Sequence, residues 1–476
     1  MLAASLVLIV AGTAWAAPLD GPALRGALDA LIDGHSSARR TTVYLKVVDL
    51  QSGKVLYDRG SDKLLTPASN LKIYTSACAL DTFGPDHRFA TRLTLSGEFE
   101  EQGTLRGDLV LVGGGDAMLT SADLAKLADR VVDELGIRRV EGRVLVDNRR
   151  YAPRLKGPGW MWDDEPDYYN MSITPLMVDF NVLTVRLAPR PDDSVAATLV
   201  PAASYPSIVR DPRLESEEEP TITREPFTEE IHYSSESSIE EPIEQQLTMN
   251  DPAPWVASLF RQQLIDRGVG FLVEQTFGPH QQPTDPIAGQ SLVHHGPTLF
   301  ETLNHFNEES ENAVGEVLLH EIAIASGRPQ PTWADGAEAI SHWLTNTAGL
   351  DAGSFRLVDG SGLSRYNLIS ADSSIKLLTF MQQHKHSARF FKALTEYELE
   401  LAEIDWPDAP AAGFDPQRVS AKSGGMSGVS TISGYLRTLD NRLLAFSLLA
   451  NGYTGTNKPQ LDLRKKLWHT LVEYRK

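Results

Sequence analysis

The sequence predicts an α+β protein built from more than one structural unit, on three observations. The chain has 476 residues, more than one ordinary core accommodates, and 42% of them are hydrophobic, a normal globular content. Stretches alternating apolar and polar residues stand beside stretches with helical apolar spacing. No internal repeat runs through them.

Residues 1–16, "MLAASLVLIVAGTAWA", carry an apolar run from Leu6 to Ala11 and an Ala14-x-Ala16 ending, the pattern of a secretory signal cleaved after Ala16, although no basic residue precedes the run. The run is too short to span a bilayer, and no later segment approaches 18 apolar residues. The expectation is an exported, soluble protein, periplasmic or otherwise extracytoplasmic, with no integral membrane segment. "TTVYLKVVDLQSGKVLYDRGSDKLL" alternates on both sides of Gln51-Ser52-Gly53 and reads as a hairpin. It leads into "TPASNLKIYTSACAL", where Pro67 marks the start of a helix, and on a helix Lys72 stands one turn above Ser69 on nearly the same face. A neutral lysine amine beside a serine hydroxyl can take its proton. The spacing alone decides nothing, because Ser373-Ser374-Ile375-Lys376 repeats it.

From His87 to Asp147 the pattern gives strands in "ATRLTLSGEF", "GDLVLVGGGD" and "GRVLVD", and a helix opened by Ser121; strands continue through "LMVDFNVLTVRLAP". Glutamate and serine dominate 214–246, which reads as an exposed acidic stretch peripheral to catalysis, although the alternation in "TITREPFTEEIHY" leaves room for strands. Helical patterns follow over 253–269 and over a long region broken near 307–311, which puts Ser310-Glu311-Asn312 at a helix start. "GVSTISGYLRT" and "NRLLAFSLLAN" read as neighbouring strands and "QLDLRKKLWHTLVEY" as a closing helix.

A formal charge of −19 argues against nucleic acid and anionic membrane surfaces as partners. The single Cys78 excludes an internal disulfide and reads as a buried small hydrophobe. The twelve histidines lack metal-ligand spacing; His320-Glu321, for example, has no second histidine four residues on. Neither a metal nor another cofactor is expected.

Three short motifs occur in one order: Ser69-Asn70-Leu71-Lys72, Ser310-Glu311-Asn312 and Lys422-Ser423-Gly424. They fit the S-x-x-K, S-x-N and K-[ST]-G set of serine β-lactamases and penicillin-binding proteins. With "GPDHRFATRL", "GDLVLVGGGDAMLT", "GPGWMWDD", "DGSGLSRYNL" and "VSAKSGGMSGVSTISGYL", the chain resembles the low-molecular-mass class C penicillin-binding proteins, the D-alanyl-D-alanine carboxypeptidases and endopeptidases of serine peptidase family S13, over residues 40–455. Ser69 and Ser310 are 241 residues apart, more than a bare serine β-lactamase fold needs between its first two motifs.

The resemblance implies a discontinuous catalytic domain over 17–82 and 290–476, an antiparallel sheet flanked by helices, with 83–289 inserted as two smaller domains. It implies peptidoglycan stem peptides and cross-links as substrates and β-lactams as covalent inhibitors. Ser69 would be the nucleophile and Lys72 its base, with a pKa lowered by repulsion from Lys422; Ser310 would pass a proton to the leaving amine and Asn312 bond the substrate amide. Lys422 and Ser423 would hold the substrate's terminal carboxylate, and the N–H groups of Ser69 and Gly425 would form an oxyanion hole worth on the order of 3 kcal/mol per donor. Gly424 would leave room for the nucleophile. "KSGG" departs from the family's usual threonines at 423 and 425. Asp164, Tyr169 and Met426 match positions that recognise meso-diaminopimelate: a carboxylate for its free amine end, and aromatic and apolar contacts. Two alternatives share the motifs, a β-lactamase and a catalytically inactive cell-wall binding protein. A Ser-His-Asp esterase is disfavoured because no G-x-S-x-G occurs.

Overall fold

The computed structural model describes residues 19–36, 40–100, 102–192, 194–214, 220–234, 239–275, 286–398 and 418–475. The export signal read at 1–16 lies outside them. Both ends of the described chain contribute to one six-stranded antiparallel sheet, in the order Thr395–Glu398, Arg418–Met426, Val429–Arg437, Leu443–Asn451, Thr42–Asp49, Lys54–Arg59. The N-terminal hairpin therefore pairs with the last strand of the chain, Thr42 opposite Asn451 and Asp49 opposite Leu444.

Period-two alternation sends side chains to both faces of this sheet, and both are covered. Val43, Leu45 and Val47, with Leu444, Phe446 and Leu448, pack against the helices Gly21–Gly34 and Lys458–Val472. Those helices offer Leu24, Leu28 and Ile32, and Leu463, Leu467 and Leu471, at four-residue spacing. Each fully buried leucine contributes about 1.5–3 kcal/mol. On the other face Tyr435, Ala445 and Leu449 meet a helical layer that includes Lys72–Phe83, Leu299–Glu308, Asn312–Ala325, Trp333–Asn346 and Ala371–Gln383. Cys78 is fully buried in that layer, and burial pushes its thiol pKa up to about 12, so it is inert packing.

The chain leaves this body along Arg88–Ser96 and returns along Pro286–Thr298, which pair antiparallel with Leu93 opposite Leu292. Between them lies a second core, with Leu111, Leu124, Leu127, Val131, Val185, Trp255 and Phe260 at its centre. Two details differ from the sequence expectation. Thr120, not Ser121, caps the helix Ser121–Asp133, in a reciprocal capping box with Asp123. The strand expected from Leu176 begins only at Val182, because Asp179, Phe180 and Asn181 take positive φ in a turn that the Asn181 amide ties to Ser172 O at 2.8 Å.

The acidic stretch differs more. Its described residues include the strands Ile222–Arg224 and Ile231–Tyr233 and most of Ile243–Thr248. Arg224 and Ile231 are buried. Composition hid them because Glu244 is the one acid within these strands; the others, such as Glu225, Glu229 and Glu240, lie between them and dominate the average. Among the described residues no helix is long and apolar enough to cross a membrane.

Candidate active site

Ser69 lies not in the helix but in a single 3-10 turn, Ala68–Leu71, from which the helix Lys72–Phe83 continues. Three contacts clamp this turn against the strand Arg418–Met426 and its neighbour. The buried Asn70 donates to Lys422 O at 2.6 Å and accepts from Ser433 Oγ at 3.0 Å, and Thr431 Oγ1 donates to Pro67 O at 2.5 Å. A Cβ on Gly424 would lie 2.3 Å from Pro67 O and 2.6 Å from Asn70 N, so only glycine lets strand and turn approach this closely. Gly425 is exposed, and a Cβ there would meet nothing within 4 Å.

Lys72 is fully buried, and its amine lies 3.0 Å from Ser69 Oγ. It also donates to Asn312 Oδ1 at 2.7 Å and to Ser361 O at 3.0 Å. All three partners are neutral oxygens. The helix carrying Asn312 starts there because Ser310 takes a left-handed φ of 62°, an uncommon conformation for serine, and Glu311 then caps the new helix by accepting from Ala313 N at 3.2 Å. Ser310 is half-buried at that corner. The Asn312 amide also donates to Tyr169 O at 3.1 Å.

Burial lowers the Lys72 pKa to about 8, against the opposing pull of Glu311, Asp359 and Glu316. Lys422 falls further, to about 7, first through burial and then through the charge of Lys72. The sequence expectation placed this repulsion on Lys72. Two buried ammonium groups titrate as a pair, and the repulsion falls on the proton that leaves first, here that of Lys422.

Several working residues escaped the sequence reading. Ser361 supplies the carbonyl on Lys72 from the loop "DGSGLSRYNL"; the two glycines beside it were the available signal. The loop can lie there because Gly315 and Gly360 touch backbone to backbone: a Cβ on Gly360 would stand 2.1 Å from Gly315 O. Glu316, fully buried, fastens it by accepting from Ser361 N at 2.9 Å, Gly360 N at 3.1 Å and Trp333 Nε1 at 2.9 Å. Asp359 accepts from Ser364 N at 2.6 Å, Gly362 N at 2.9 Å and Trp160 Nε1 at 3.1 Å. Tyr397, which no motif marked, donates to Ser423 Oγ at 2.9 Å and leaves the serine its own proton to donate.

Asp164 and Tyr169 stand together, the phenol of Tyr169 3.1 Å from Asp164 Oδ1 and 2.9 Å from Asp167 Oδ2. Through Tyr169 O they are joined to Asn312, hence to Lys72. Met426, half-buried, ends the strand that carries the third motif. The structure thus brings Ser69, Lys72, Asn312 and the Lys422 strand into one buried junction, with Asp164 and Tyr169 on the loop beside it. The arrangement can deprotonate a serine and hold a carboxylate.

The sequence matches the D-Ala-D-Ala carboxypeptidase 3 (S13) family over residues 24–471. It is 30% identical over 456 residues to the D-alanyl-D-alanine carboxypeptidase of an Actinomadura species, covering 92% of this chain and 80% of that protein. It is 22% identical over 447 residues to the D-alanyl-D-alanine carboxypeptidase DacB of Haemophilus influenzae, covering 90% of each. The crystal structure of penicillin binding protein 4 from Haemophilus influenzae superposes with a TM-score of 0.75 at 19% identity, over 94% of this chain and 99% of that one. The motif order, the α+β fold and these matches agree: this chain belongs to the D-Ala-D-Ala carboxypeptidase 3 (S13) family.

Proposed function

We infer that the protein is a serine D-Ala-D-Ala carboxypeptidase and D,D-endopeptidase of peptidoglycan, acting through an acyl-enzyme on Ser69 and blocked covalently by β-lactams. The observation that carries this reading is the fully buried Lys72 amine, 3.0 Å from Ser69 Oγ and bonded otherwise to neutral oxygens. The relatives named carboxypeptidases, and the β-lactam complex of the Haemophilus protein, support it.

Lys72 takes the Ser69 proton as Oγ attacks the carbonyl between two D-alanines. The N–H groups of Ser69 and Gly425 receive the oxyanion, and Ser310 relays the proton to the departing amine. Lys422 and the hydroxyl of Ser423 hold the terminal carboxylate. That carboxylate favours the ammonium of Lys422, and the charge retained there favours a neutral Lys72, so substrate binding prepares the base. Asn312 orients Lys72 and bonds the substrate amide. Water then resolves the acyl-enzyme. Glu316, whose carboxylate is taken up by Gly360, Ser361 and Trp333, is not placed to drive the fast deacylation of a β-lactamase.

The reading includes meso-diaminopimelate stem peptides, with Asp164 on the free amine end and Tyr169 and Met426 along the side chain. It includes export by way of residues 1–16, and a catalytic domain over 17–82 and 290–476 with 83–289 inserted. Incubating the purified protein with muropeptides tests the activity: monomers lose their terminal D-alanine, dimers are cut at the cross-link, and benzylpenicillin stops both. Intact muropeptides after incubation with a protein that binds penicillin would mark it as a wall-binding protein instead.

A further inference from the structure

We propose that the buried ion pair between Arg224 and Glu165 positions the recognition loop, setting how well the enzyme reads the stem peptide without taking part in acylation. The proposal rests on the recognition role given above to Asp164, the residue immediately before Glu165. The side chains of Arg224 and Glu165 are 0% and 2% exposed and ion-paired. The guanidinium also donates from Nε to Thr248 O at 2.9 Å and from Nη1 to Thr228 O at 2.6 Å. The second Glu165 oxygen accepts from Phe227 N at 3.1 Å. Thr248 N donates to Pro166 O at 3.1 Å.

The two residues that follow Asp164 are therefore fixed by a guanidinium and by backbone from the acidic stretch and the strand that ends it. At the far end of the loop, the amine of the half-buried Lys156 donates to Asn170 O. The tip between these fastenings is open to solvent, with Trp162 72% and Tyr168 54% exposed.

An ion pair is an expensive way to fill a core, since apolar residues of equal volume stabilise as well or better. It differs in being directional. A guanidinium with three oxygen acceptors fixes the angle at which the chain leaves the core, which apolar packing does not. Asp164 needs that constraint: a half-buried carboxylate recognises an ammonium only where it is held, and a small displacement weakens the pair without touching the buried junction at Ser69. The stretch whose composition suggests a peripheral loop would thus supply the anchor of substrate recognition.

The test compares kcat/KM for a diaminopimelate-type peptide with a free amine end against the second-order rate of acylation by benzylpenicillin. Glu165→Gln, Arg224→Met and the combined Arg224→Met/Glu165→Gln are measured beside Asp164→Ala and, as an exposed acid of the same stretch, Glu240→Gln. The expected result is a fall of roughly ten-fold in the ratio of peptide to penicillin rates for the first three, carried by KM rather than kcat, with no change for Glu240→Gln. If Arg224→Met does not fold, the combined variant, which removes both members of the pair, carries the test. Equal losses for both ligands would show that the pair supports the fold only and overturn the proposal. A lowered ratio in Asp164→Ala alone would overturn it while sparing the recognition role of Asp164. An unchanged ratio in Asp164→Ala would remove that role and the proposal together.

Discussion

The chain contains the same serine-to-lysine spacing twice, and the structure gives the two copies opposite fates. Ser69 sits in a 3-10 turn clamped to a strand, and Lys72 is fully buried among neutral oxygens. Ser373 is the third residue of the regular helix Ala371–Gln383, where Ser370 and Ser373 form a capping box. Lys376 turns outward, its side chain 47% exposed and its amine 2.9 Å from Asp372. Spacing brings a lysine near a serine. What surrounds each lysine differs: burial lowers the pKa of Lys72, whose direct partners are neutral oxygens, whereas Lys376 is an exposed lysine paired with Asp372.

The largest effect that could break this contrast is acylation itself. Ser69→Ala should abolish covalent labelling by a fluorescent penicillin, and Ser373→Ala should keep it. Label retained on the Ser69 variant would remove the mechanism. Next, Lys72→Ala should slow acylation by roughly 10²–10⁴-fold, the usual contribution of a positioned base. Lys376→Ala, which loses only an exposed pair, should change stability by less than about 1 kcal/mol and leave the acylation rate intact. Stopped-flow acylation and urea unfolding read both.

The pair Lys72–Lys422 sharpens the contrast through pH. Below about 7 both amines hold protons and Lys72 cannot accept that of Ser69; between about 7 and about 8 the pair holds one; above about 8 it holds none and the carboxylate loses its anchor. The second-order rate of penicillin acylation should therefore peak between those values and fall about ten-fold per pH unit on either side. Lys422→Ala, slower throughout, should lose the alkaline limb and move the acidic one up to about 8, the value of Lys72 alone. A flat profile from pH 6 to 9 would mean that neither lysine titrates in the reactive step.

These predictions use residues that were legible to different degrees. The hairpin, both C-terminal strands, the helix start at Asn312 and the three motifs were readable because each has a local cause: alternation, a cap, a fixed spacing. Gly424 was readable because the chemistry requires close approach. Ser361, Glu316 and Tyr397 were not, since their contacts join residues far apart in the chain: Ser361 O lies on Lys72, and Tyr397 on Ser423 across a strand pair. Glu316 could have been suspected as an acid inside the apolar run "NAVGEVLLHEIAIA". Arg224 was hidden by its neighbours in sequence, whose acids lie in the segments between the strands and say nothing about what the strands bury.

The smallest expected effect tests whether the second serine–lysine copy is structural. Ser373 Oγ accepts from Ser370 N at 3.2 Å, donates to Ser370 O at 2.8 Å and lies 2.7 Å from Tyr74 Oη. Ser373→Ala removes these bonds but leaves Tyr74 a second partner in Ser374 Oγ at 2.9 Å, and the cap still accepts from the backbone N–H at 373. The cost should stay near that of one cap plus one buried hydrogen bond, about 1–2 kcal/mol in urea unfolding. Adding Tyr74→Phe should cost less than the sum of the single changes, because each single change already removes the bond between Tyr74 and Ser373, which the sum counts twice. The labelling rate of the folded protein should not move. A labelling rate that fell with Ser373→Ala at constant folded fraction would show that the helix Ala371–Gln383 transmits its geometry through Tyr74 to the turn at Ser69, and the two copies of the motif would no longer be independent.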